Sequence, residues 1–92
     1  MIPSSLLICD RSYTVTSQPM LGSLGCCAND TQTITIDSDS HPQTQESVLL
    51  HEVLEAINAS MDLRLKHRTI SALETALYSI LVTNPSWWEE TD

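Results

Sequence analysis

The chain has 92 residues, which is enough for one domain and too few for a large enzyme fold; with 41% hydrophobic and 17% charged residues it reads as an ordinary globular domain rather than a disordered one. Twelve acidic residues against four basic ones give a formal charge of -8, which repels phosphate backbones and anionic lipid surfaces, so neither a nucleic acid nor a membrane is an expected partner. Phe is absent, so the core has to be largely aliphatic.

No stretch approaches the ~20 apolar residues of a membrane span, and the N-terminus has neither the basic start nor the small-residue cleavage site of a signal peptide. Cys9, Cys26 and Cys27 lack C-x-x-C spacing and are read as reduced, mostly buried thiols. A cytoplasmic protein is expected.

The elements in chain order begin with a hairpin. Leu6 to Cys9 form an apolar run, Asp10 and Arg11 interrupt it, and Tyr13 to Thr16 resume β-favouring residues. Pro19 and Gly22 to Gly25 mark a loop, and Cys26–Cys27 add a short strand. Thr33 to Asp37 is the clearest strand, since Ile34 and Ile36 alternate with polar neighbours. A helix then starts near His41, where Ser40 and Gln43 have capping-box spacing and Pro42 suits a first turn. Apolar positions at 49, 50, 53, 54, 56 and 57 carry it to about Met61, with the arc centred between Leu50 and Val53 facing the sheet.

After Asp62 to Leu65, a second helix spans about Lys66 to Val82 and ends at Asn84 and Pro85. The fold class expected is α+β, a small antiparallel sheet packed on an antiparallel two-helix hairpin, with residues 1–92 as a single domain and 85–92 as a tail. In that tail Trp87 and Trp88 cover exposed core or meet a partner.

The residues that carry chemistry are His51, Glu52 and Glu55. Four apart on a helix, His51 and Glu55 converge on one ion, while Glu52 stands about 100 degrees away as a base. This is the geometry of the H-E-x-x-H zinc helix with a carboxylate in place of the second imidazole. A third ligand has to come from the second helix. There Glu74 shares a face with Ile70, Leu77, Tyr78 and Leu81, where a lone buried carboxylate would cost several kcal/mol.

If the turn centre lies near residue 63 or 64, opposed positions have numbers summing to about 127, and Glu74 falls between His51 and Glu55. His67 is the alternative third ligand. The same register puts it about 7 Å from Glu55 and 13 Å from His51 along the axis, so Glu74 is preferred. His41, about 15 Å from His51, is a surface residue of the first turn. The bland alternative is that these acids simply line a solvated helix surface, since H-E-x-x-E arises easily in acidic helices.

The strand Thr33 to Asp37, the helix beginning Gln45-Glu46-Ser47-Val48-Leu49-Leu50-His51-Glu52, and the later Leu73-Glu74-Thr75-Ala76-Leu77-Tyr78 lie in an order that resembles the small phage and prophage proteins of the zincin-like metallopeptidase class. The likeness includes Gly22 to Gly25 and covers nearly all of the chain up to Asn84. It implies a minimal zincin-like fold, a zinc cofactor held with a Glu of the following helix, which maps onto Glu74, and a peptide or protein substrate. It also implies that zinc acidifies a water from which Glu52 accepts the proton, and that Thr33 to Asp37, at a sheet edge, aligns an extended substrate.

Glu55 departs from the pattern. Its extra negative charge lowers the Lewis acidity of the metal, so the fold and site persist with weak or no proteolysis. The alternative from another class is a non-enzymatic small acidic interaction protein of a phage, which uses the helical hairpin and the Trp tail to hold its partner.

Overall fold

Period-two alternation over the first 37 positions builds a four-stranded sheet: β1 (Ser5–Ile8), β2 (Arg11–Gln18), β3 (Gly25–Ala28) and β4 (Thr33–Asp37). Helices α1 (Pro42–Ser60) and α2 (His67–Thr83) follow, then one short turn of helix, α3 (Pro85–Trp88). The structure is a computed structural model and describes residues 2–88, apart from the side chains of Trp87 and Trp88. The roles expected for that Trp pair and for the acids after it lie outside the described residues. Among the described residues, no helix is long and apolar enough to cross a membrane.

The α+β class is as expected, with one correction. The strand order is β1-β2-β4-β3, and β2 pairs with β4 in parallel, so the sheet is mixed and only mostly antiparallel. Residues 19–32 carry the chain past the β4 position, lay down β3 at the far edge and return by a hairpin, which leaves β4 between β2 and β3. Parallel neighbours need a long crossover of this kind. The β1–β2 hairpin closes on Cys9 and Asp10, both at positive φ, one position earlier than Asp10 and Arg11.

Tyr13, Val15, Ile34 and Ile36 point to one face, where they form the core with Ile8 and Ala56; Val48, Leu49, Val53 and Ile57 of α1 pack against it. The sheet-facing side of α1 is therefore rotated from the expected arc, and Leu50 and Leu54 lie half-buried outside the core cluster. Thr14, Thr16, Thr33 and Thr35 take the other face of the sheet, where the Thr16 and Thr35 hydroxyls bond across the parallel pair. The cysteines also differ from expectation. Cys9 in the turn and Cys26 on the outer face of β3 are exposed, and only Cys27 turns partly inward.

Asp37 ends β4 in a buried position, and its Oδ1 accepts from the backbone N–H groups of Met20 and Asp39. Ser40 does not form the capping box, because its hydroxyl donates to the Asp37 carbonyl. Its place is taken by His41, whose Nδ1 accepts from the Gln43 N–H as the N-cap of α1.

The α1–α2 connection positions the site. Asp62 and Arg64 have positive φ, and the chain folds back so that Leu65 N–H donates to Asn58 Oδ1 at 2.9 Å. α2 thus begins beside α1 one turn below its end. Asn58 opposes Leu65, Glu55 opposes His67, and Glu46 opposes Tyr78, a register displaced by about four residues from the expected one.

Candidate metal centre

α1 presents His51 and Glu55 on one side, as their spacing requires, with His51 Nε2 3.5 Å from Glu55 Oε2. The displaced register brings the first residue of α2 to the same place. His67 Nδ1 lies 3.7 Å from Glu55 Oε2, and the His51 and His67 rings meet edge to face with centroids 5.0 Å apart. One ligand atom from each of His51, Glu55 and His67 lies within 4.8 Å of the other two. Ligands at zinc distances in a tetrahedral set are separated by roughly 3.3 Å, so the two imidazole–carboxylate separations are near what one ion would need.

The separations of about 7 and 13 Å expected for His67 fail because they assumed that α2 starts at the end of α1. The connection doubles back first, and its Leu65–Asn58 hydrogen bond holds the N-terminus of α2 down.

Glu74 reaches His51, as expected, but on the other side of the ring. Its Oε1 is 2.9 Å from His51 Nδ1, and its Oε2 accepts from the Ser47 hydroxyl. Both oxygens are therefore engaged away from Glu55. A carboxylate at Nδ1 favours the tautomer that carries its proton there, which leaves the Nε2 lone pair on the side of Glu55. Glu74 thus stands behind the His51 ligand position, and His67 completes the trio. His41 takes no part, being engaged in its capping bond.

Glu52 is 8% exposed, and burial raises its carboxyl above the ordinary value of 4.5; Glu55 and Glu74 push it further up, and His51 and His67 partly offset this. It sits between two grooves. One is lined by Leu24, Gly25, Val48, His51, Glu52, His67, Ser71 and Glu74, so both histidines open onto it. Gly25 makes this approach of β3 to α1 possible, since a Cβ there would lie 2.5 Å from Val48 Cγ1 and 3.4 Å from Glu52 Oε2.

The second groove is lined by Cys27, Asn29, Glu52, Glu55, Asn58 and Ala59. Burial, then the charges of Glu52 and Glu55, push the Cys27 thiol up to about 11.

Sequence reasoning passed over Ser47, Gly25, Asn29 and Asn58. Ser47 was within reach of it, standing four residues before His51 on the same helix face. The other three acquire their positions only through the sheet crossover and the helix connection. Comparison with protein families, with curated proteins and with solved structures gave no match.

Proposed function

We propose that this protein is a zinc-dependent peptide hydrolase of zincin-like type, acting on extended peptide or protein segments in the cytoplasm of a bacterium or phage-infected cell. The observation that carries the reading is the convergence of His51 Nε2, Glu55 Oε2 and His67 Nδ1 beside a buried carboxylate, Glu52. Two neutral imidazoles and one carboxylate suit a divalent zinc ion, and the 75% exposure of the His67 side chain leaves one side of the trio open. A bound zinc ion would supply Lewis acidity and make water a better acid.

Glu52, with its raised pKa, is the general base. It takes a proton from water as the water oxygen bonds to the peptide carbonyl carbon, then delivers that proton to the leaving nitrogen as the C–N bond breaks. Glu74 and Ser47 orient His51. The substrate strand is aligned by β3 rather than by Thr33 to Asp37, because β4 is interior and already paired on both sides.

The test is elemental analysis and hydrolysis of fluorescein-labelled casein with protein that carries no histidine tag. About one zinc per chain is expected, lost in His51→Ala and His67→Ala. Glu52→Gln keeps the metal and abolishes hydrolysis. A wild-type protein that takes up no zinc and does not melt differently in its presence overturns the reading.

A second reading, the non-enzymatic interaction protein, is favoured by one feature. An apolar groove of about 370 Å³ opens between β1, α1 and α2, lined by Ile2, Leu6, Leu49, Leu50, Val53 and Leu81 among others. It predicts no metal dependence, and loss of the partner on deletion of residues 86 to 92.

A further inference from the structure

The metal trio and Glu52 account for activating water, but no cationic side chain lines the second groove, which Glu55 of the trio and Glu52 share, to steady negative charge on a carbonyl oxygen. That groove, about 350 Å³, runs along the β3 side of α1 and has Glu52 and Glu55 on one wall and Asn29 and Asn58 among its other residues. Each asparagine has its oxygen engaged within the protein. Asn58 Oδ1 accepts from the Leu65 backbone N–H at 2.9 Å, a donor with no alternative role, so the amide orientation is determined. Asn29 Oδ1 accepts from the hydroxyl of the fully buried Tyr13 at 2.9 Å and from the Cys27 thiol at 3.5 Å.

The NH₂ ends are left over. Among the described residues no acceptor takes either Nδ2, and neither is enclosed, because Ser60 Oγ is the one buried, unpartnered side-chain polar atom there. Both residues therefore line the groove that Glu52 and Glu55 also line, each with its amide oxygen engaged and its NH₂ end unpartnered. We infer that Asn29 and Asn58 are carbonyl-binding catalytic residues, which donate from Nδ2 to the scissile carbonyl oxygen and stabilise the negative charge that builds on it. This rests on the metallopeptidase reading. Amide donors suit the place because they carry no charge to pair with Glu52 or Glu55 and do not titrate, and the Asn58 amide is oriented before substrate arrives.

Asn29→Asp and Asn58→Asp test this, since each keeps the oxygen that the fold uses and replaces the donor by an acceptor. Zinc content should match the wild type, and the added charge beside Glu52 and Glu55 should lower the melting temperature only modestly. The kcat on fluorescein-labelled casein should fall roughly 100- to 1000-fold with little change in KM, the range for loss of one such donor.

A readout apart from turnover is the side-chain amide signals of Asn29 and Asn58 in ¹⁵N–¹H spectra. They should shift when a phosphonamidate dipeptide, a tetrahedral anion, is added to zinc-loaded protein. Wild-type kcat in the Asp variants, or amide signals that stay still while those around His51 move, overturns this inference alone. Absence of zinc uptake and of hydrolysis by the wild type overturns it together with the reading on which it rests.

Discussion

Glu52 is held in a site that disfavours its charge, and stability must register this. Its folded pKa lies above the ordinary 4.5, so between those two values the folded chain binds the proton more tightly than the unfolded one, and stability falls as pH rises through that window. Above that window the wild type bears the full penalty. Metal-free Glu52→Gln should therefore melt higher than wild type at pH 7, and the difference should close as the pH approaches 4.5; thermal melts at four or five pH values measure it.

The same burial acts on Cys27. A thiol shifted from 9.0 to about 11 has roughly a hundredfold less thiolate than an unperturbed one at neutral pH. Iodoacetamide at pH 7.5, followed by peptide mass mapping, should label the exposed Cys9 and Cys26 well before Cys27. Equal rates would contradict the packing of β3 against α1.

At the scale of elements, two contacts decide whether the site assembles. Asn58→Ala removes the acceptor that holds Leu65, leaving a backbone N–H unpaired at a cost of about 1–3 kcal/mol, and it releases the α2 terminus that carries His67. Zinc affinity should fall with stability, read by competition with a chromophoric chelator.

Gly25→Ala brings a Cβ to 2.5 Å from Val48 Cγ1 and 3.1 Å from the Thr35 carbonyl, so β3 and α1 must part; about 1–3 kcal/mol of destabilisation is expected in urea melts. Much of this scale was legible beforehand. The strand Thr33–Asp37 matches its alternation, and the helices Pro42–Ser60 and His67–Thr83 lie within a residue or so of the spans read from periodicity. The pairing of β2 with β4 was not legible, since alternation shows which side chains face inward and says nothing of strand order.

At the scale of the whole molecule, a small core of aliphatic side chains and Tyr13 supports a chain of charge -8, so a divalent ion that binds only the folded state should contribute visibly. At a hundredfold excess over Kd, zinc should add about 2.7 kcal/mol, and it should add almost nothing to His67→Ala. Glu74→Gln should lie between them, its affinity lowered roughly 10- to 100-fold, the usual effect of losing a partner behind a ligating histidine. Calorimetric melts with and without zinc distinguish the three.

The sequence by itself determined that His51 and Glu55 share a helix face and that Glu52 stands beside them, because a 3.6-residue period leaves no freedom within one helix. The hairpin register led to Glu74 near His51 but placed it between His51 and Glu55, where the displaced helices do not put it. Only the tertiary structure decided which residue joins the trio. Two positive-φ residues and one side-chain-to-backbone bond in the connection slid α2 back along α1, so that His67 meets Glu55 and Glu74 takes the far side of the His51 ring. The chain crossover likewise put β3 at the edge and Asn29 on the groove that Asn58 also lines. Such placements depend on how separately encoded elements dock, and local periodicity carries no information about that.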